Sequence, residues 1–145
     1  CCKITVGEGA VKYCKGFKYQ LIEEYHIETC IHPFRTICLD FITLYFTGLL
    51  MLRKGYACDG PSGPTFDWPK KHVMRGAFIH DALYKLLRHG LLEPEYRVYA
   101  DALARDIWME DGMSAWRANA WYDALRVGGR LAADPISKRK VYESP

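Results

Sequence analysis

The second half of the chain carries the feature that most constrains the fold, a succession of apolar-periodic stretches separated by residues that begin or end helices. The first stretch predicts a helix over residues 72–89 that ends at Gly90, because glycine accepts the left-handed conformation that follows many helices. A second helix is predicted from Pro94, which suits a first turn, to Gly112. Since the connection between them is short, we expect these two helices to form an antiparallel hairpin.

A third helix is predicted after Ser114, a residue type that caps helix N-termini. Its end is predicted at the glycine pair Gly128 and Gly129. Three tryptophans recur at helical spacing and are expected in the core or at an interface: Trp108, Trp116 and Trp121.

The first 60 residues have a different character, with short runs of aromatic and β-branched residues between turn signals. The most apolar run, residues 41–52, is shorter than the roughly 20 residues that cross a bilayer. Its composition and the break at Gly48 predict one or two buried strands. The expected fold class is therefore α+β, a small N-terminal antiparallel sheet followed by a three-helix C-terminal half.

The length of 145 residues predicts a single domain. Within it, we expect residues 1–60 to be mainly strands, 61–71 a loop rich in glycine and proline, 72–134 helices and 135–145 a tail. The net charge of +3 is small, so no nucleic-acid partner is expected.

The six cysteines all lie within the first 58 residues. Their even number suits disulfides in an oxidising compartment, yet a chain of this size does not require them, and both redox states stay open. His26, Cys30 and His32 alternate so that a strand would place them on one face, as zinc ligands or as ordinary strand residues. Because the sequence begins at Cys1, we expect that an N-terminal segment was removed, by lipoprotein processing or by truncation, or lies outside this numbering.

The stretch IHDALYKLL places His80 and Asp81 side by side in an otherwise apolar helix. A titratable group is costly to bury without a partner, so the pair requires either partners or a chemical role. Tyr84 lies one turn after His80 on the same face, and in the expected hairpin Asp101 of the second helix meets that face. A carboxylate that holds one imidazole nitrogen leaves the other available to take a proton from water.

Asp81 offers a hard oxygen ligand, for which Ca²⁺ is the expected cation if backbone carbonyls complete an oxygen shell. The loop DGPSGP, residues 59–64, is the expected source of those carbonyls, because its glycines and prolines turn the backbone outward. Such a cation polarises an ester carbonyl and stabilises the oxyanion. Asp59 and Ser62 are equally interpreted as turn residues whose side chains cap backbone amides.

The order of these motifs, GYACDGPSGP, then HDALY, then an Ala-Asp pair, resembles a family of short phage and prophage proteins of unknown function, over roughly residues 15–130. This resemblance implies a phage-associated protein, with virion or tail proteins as partners and the virion or the host cell envelope as its location. The residues that carry it are Gly55, Tyr56, Asp59, Gly60, Ser62, Pro64, His80, Asp81, Tyr84, Ala100 and Asp101.

A shorter resemblance is mechanistic, since a Gly/Pro loop, H-D-x-x-Y on a helix and A-D on an antiparallel helix are similar to the catalytic core of phospholipase A2, particularly its compact viral forms. It implies that His80 is the general base, Asp101 its partner and Tyr84 a support in the network. It also implies that Asp81 is the Ca²⁺ ligand. The residues that it assigns to the calcium loop are Gly60 and Gly63.

The chain departs from the secreted phospholipases at two places. Ile79 and Leu83 stand where those enzymes have cysteines beside the His-Asp pair, so the usual disulfides are missing. In the loop, Asp59 and Pro64 are outside the pattern. These departures bear most directly on calcium binding.

Two functions from different classes follow from these observations. The first is a hydrolase of envelope lipid esters with a calcium-assisted His-Asp mechanism, for which a membrane lipid surface is the partner. The second is a non-enzymatic virion or tail-associated structural protein, whose polar cluster fixes the loop against the helices. A peptidoglycan hydrolase is a weaker third, because neither a zinc triad nor paired glutamates stand out in the sequence.

Overall fold

The computed structural model describes residues 13–14, 19–60 and 73–137. The strands of this part are β1 (Tyr13–Cys14), β2 (Tyr19–Leu21), β3 (Tyr25–Glu28), β4 (Ile37–Leu39), β5 (Ile42–Leu44), β6 (Leu49–Leu52) and β7 (Ala57–Cys58). Its helices are α1 (Met74–Arg88), α2 (Arg97–Glu110) and α3 (Ala115–Ala133), with 3₁₀ turns at Pro94–Tyr96 and Pro135–Ser137. The predicted α+β class, with strands before helices, is confirmed.

The strands form two antiparallel sheets, one of four strands in the order β3-β6-β5-β4 and one of three in the order β1-β2-β7. The apolar run 41–52 forms β5 and β6, as predicted. Gly48 in the turn between them has a φ of +94°, and a Cβ there would lie 2.7 Å from the carbonyl oxygen of Thr29. Only glycine fits this turn, which brings Leu44 and Leu50 into register as a buried pair.

Helix α1 lies at the centre of the core, since ten of its fifteen residues are buried. The predicted antiparallel hairpin with α2 is confirmed by Arg75 at the start of α1, which pairs with Asp111 and Glu110 at the end of α2 at 2.9 and 2.8 Å. A second, smaller cluster joins α2 to α3, where buried Trp108 packs edge-on against Trp121. Helix α2 therefore packs against α1 on one side and against α3 on another.

The glycine pair does not end α3, so that part of the helix prediction is wrong. The helix continues through Gly128 and Gly129 to Ala133. A Cβ on Gly129 would collide with the hydroxyl of Tyr84, so glycine is required there by the close approach of α1, and not by a left-handed backbone. Ser114 occupies the N-cap position as predicted, but its side chain makes no capping hydrogen bond.

Two further sequence expectations concern hydropathy. Within the described ranges, no helix has the length and apolar character needed to span a bilayer. Trp108 is buried in the core as expected, whereas Trp116 is 72% exposed, so a core position is wrong for Trp116 and an interface there stays a prediction.

Candidate functional site

A fully buried carboxylate, that of Asp101 on α2, organises the polar cluster. Small neighbours on the same helix, Ala100 and Ala104, allow the adjacent helices to approach it closely. Its Oδ1 atom accepts hydrogen bonds from His80 Nε2 at 2.9 Å and from the Tyr84 hydroxyl at 2.6 Å. The predicted meeting of His80, Tyr84 and Asp101 is therefore confirmed.

The second oxygen of Asp101 is held by a residue that the sequence did not point to. Arg126 of α3 donates from Nη1 to Asp101 Oδ2 at 2.8 Å. The backbone carbonyl of Arg126 in turn accepts from Arg97 Nη2 at 3.1 Å. One carboxylate thus joins side chains from all three helices.

The hydrogen bonds around Asp101 decide its ionisation. Burial alone raises a carboxyl pKa, but donation from His80, Tyr84 and Arg126 outweighs burial and lowers the pKa of Asp101 below its ordinary value. Burial and the bond to this carboxylate raise the pKa of Tyr84, which therefore stays a hydroxyl donor. At neutral pH, the cluster contains an ionised Asp101 surrounded by donors.

This arrangement fixes the tautomer of His80. Because its Nε2 faces the carboxylate of Asp101, Nε2 is the nitrogen that donates, and in a neutral ring the lone pair is then on Nδ1. The ring lies against that of Tyr84, with centroids 4.0 Å apart, which restrains its rotation. The side chain of His80 is 15% exposed, so part of it is accessible to solvent.

Asp81 takes part in a separate set of contacts on the same helix. Its Oδ2 accepts the hydroxyl of buried Tyr56 at 2.7 Å, and its Oδ1 lies 3.8 Å from Arg88 Nη2. Burial, reinforced by the nearby Asp81 carboxylate, raises the pKa of Tyr56 well above its usual value, so Tyr56 acts as a donor. Tyr56 belongs to the recognised loop motif, but sequence alone gave no sign of its bond to Asp81.

The loop assigned to calcium is described only at its start. Gly60 has a φ of +84°, and a Cβ there would lie 2.7 Å from the ring of Tyr19, so the position requires glycine. Asp59 precedes it and is exposed. Ser62 and Gly63 lie outside the described residues, and so does the predicted contribution of their carbonyls.

The described side chains do not by themselves complete a calcium site. A Ca²⁺ ion takes six to eight oxygens, whereas the two oxygens of Asp81 already face the Tyr56 hydroxyl and the Arg88 guanidinium. Across residues 13–14, 19–60 and 73–137, no group of three or more histidine, cysteine or acidic side chains is placed to hold a metal, and this includes the alternating set at 26, 30 and 32. Calcium binding at Asp81 stays a prediction.

Comparisons with models of known protein families, with curated proteins and with solved structures each gave no match.

Proposed function

We propose that this protein is a hydrolase of ester bonds in which His80 is the general base. One observation carries the proposal: Nε2 of His80 is held by a buried, ionised carboxylate, while 15% of the His80 side chain stays exposed. A neutral imidazole with a fixed tautomer and an accessible lone pair is what a general base requires.

The proposed reaction uses that geometry. A water molecule that bridges His80 Nδ1 and the substrate carbonyl gives its proton to Nδ1 as its oxygen attacks the carbonyl carbon. Asp101 remains ionised and stabilises the imidazolium that forms, and Tyr84 and Arg126 hold Asp101 in place. The proton then passes to the departing alkoxide, so that one ester and one water yield one acid and one alcohol.

We propose a lipid ester of the host cell envelope as the substrate, and a phage-associated protein acting there as its context. The order of the loop, His-Asp and Ala-Asp motifs supports this context, because it is similar both to phage proteins and to the phospholipase A2 core. Phe34 and Phe46, in loops between strands, expose large aromatic side chains that are able to contact an apolar surface.

The test is release of fatty acid from phospholipid vesicles by the purified chain. His80→Gln retains a donor for Asp101 but loses the proton acceptor, so we expect release to fall by about 10²- to 10⁴-fold with little change in unfolding temperature. His26→Gln is the matched control, because His26 is half exposed and bonds Glu24 away from the cluster. Equal rates for wild type and His80→Gln, or no release by the wild type, would overturn the proposal.

The calcium prediction is tested separately by calorimetric titration of Ca²⁺ into metal-free protein. We expect binding that Asp81→Asn abolishes and that Asp106→Asn preserves, since Asp106 pairs with Arg105 elsewhere on α2. The metal-free protein should also release less fatty acid from the vesicles than the protein supplied with Ca²⁺. Absence of binding heat contradicts the calcium role and leaves the role of His80 to the vesicle assay.

The satisfied state of Asp101 favours a second candidate, a non-enzymatic virion or tail-associated structural protein. Three donors, two from α1 and one from α3, satisfy both oxygens of this carboxylate, as a purely structural cluster requires. Under this alternative, no fatty acid is released, and Asp101→Asn lowers the free energy of unfolding without any functional loss in vitro. Mass spectrometry of purified virions then detects the chain.

A further inference from the structure

The outer face of α3 presents a feature that the candidate site does not use. Only three of the nineteen residues of this helix are buried. On the opposite face, exposed apolar residues recur at intervals of four, four, three and four, which aligns them along one stripe. We call these residues the α3 stripe: Trp116, Ala120, Ala124, Val127 and Leu131.

The large members of the α3 stripe are well exposed, at 72% for Trp116, 86% for Val127 and 73% for Leu131. The stripe spans sixteen residues, or about 24 Å at 1.5 Å per residue. Its spacing of three and four is that of a helix-pairing seam, and a continuous exposed apolar patch of this kind marks an interaction surface.

We propose that the α3 stripe pairs with the same stripe of a second copy of this chain, antiparallel and about a twofold axis. Charge complementarity indicates the second copy. Asp123 and Arg130 are exposed, lie two turns apart and border the same side of the stripe. In an antiparallel pair, the same flank of each α3 stripe faces its counterpart in the other copy. Asp123 of each copy therefore lies opposite Arg130 of the other.

Side-chain size agrees with this arrangement. A twofold axis between Ala124 and Val127 sets Ala124 opposite Val127 and Ala120 opposite Leu131 in both halves of the interface. Small residues opposite large ones allow the helices to approach closely without voids. In a parallel pair, opposite flanks of the two stripes meet, and Asp123 is separated from Arg130. A parallel pair therefore lacks both the charge complementarity and the size complementarity.

The proposal goes beyond the proposed function and does not depend on it. Arg126 reaches Asp101 from the inner side of α3, whereas its neighbour Val127 lies on the α3 stripe. Pairing therefore leaves the contacts of the polar cluster unchanged.

Sedimentation equilibrium of the full chain over a range of concentrations tests the pairing. We expect a reversible dimer whose dissociation constant rises about tenfold or more in Val127→Arg, because the substitution buries an unpaired charge at the centre of the seam. Val98→Arg is the matched control, an exposed valine on α2 that should leave the dissociation constant unchanged. Circular dichroism verifies that both variants remain folded.

Charge reversal tests the direction of the pair. Asp123→Arg places two arginines opposite each other and should weaken the dimer, and Arg130→Asp in the same chain should restore it. A wild type that is monomeric at every concentration would overturn the proposal and assign the stripe to another occupant, such as residues 138–145 or a different protein. A dimer insensitive to Val127→Arg, or a double reversal that fails to restore association, overturns it as well.

Discussion

At the scale of a residue, Asp101 shows how the protein stabilises a buried charge. Its two oxygens receive donors from His80, Tyr84 and Arg126, so the carboxylate is compensated without contact with water. The contact with His80 was predictable, because both residues lie within one short-looped hairpin. Arg126 was not, since it arrives from a third helix whose placement no local pattern specifies.

The lowered pKa of Asp101 predicts a specific acid dependence of stability. In the unfolded chain, this carboxyl titrates near 3.8, and in the folded protein it titrates lower. The stabilisation is therefore complete above the unfolded value and is lost as pH falls through the folded pKa. Urea unfolding from neutral pH downwards should show a wild-type advantage over Asp101→Asn that shrinks below about pH 4. Parallel pH profiles for the two proteins would contradict this role.

At the scale of an element, α3 shows why a sequence signal can be read correctly and still mislead. Two adjacent glycines near the end of an apolar pattern predict a helix terminus. In the structure, however, the helix continues, because Gly129 provides the space that the Tyr84 hydroxyl occupies. A glycine required for tertiary contact and one required for a left-handed backbone are identical in sequence.

The same glycine pair offers a matched test. Alanine at Gly128 meets nothing within 4 Å and should raise the free energy of unfolding by about 0.5–1 kcal/mol, the helical advantage of alanine over glycine. Alanine at Gly129 must displace Tyr84 and should lower that free energy by about 1–3 kcal/mol. Chemical denaturation of both variants measures the difference. Similar shifts of the same sign would show that the contact with Tyr84 does not constrain α3.

For the whole molecule, the two halves predicted from sequence share one core. The four-stranded sheet and α1 supply most of the fully buried side chains, and α2 adds Leu103 and Ile107. Periodicity revealed which faces are apolar, and this sufficed for the fold class. Periodicity did not reveal that α3 lies at the edge of the core, because the α3 stripe gives this helix an apolar face on its exposed side as well.

The position of α3 predicts that stability is distributed unevenly. With three buried residues of nineteen, against ten of fifteen in α1, α3 should open locally without global unfolding. Amide hydrogen exchange of Val127→Arg, in which the α3 stripe is uncovered, should be faster along α3 than along α1. Equal protection of the two helices would instead indicate a single cooperative unit.

The contact between two indole rings has a practical consequence. Trp108 on α2 and Trp121 on α3 lie edge to face with centroids 5.1 Å apart. Chromophores at that separation couple electronically, and the coupling vanishes when the helices part. We therefore expect this pair to contribute a circular-dichroism signal that is lost when α3 separates from α2, so that native residues report the attachment of the third helix.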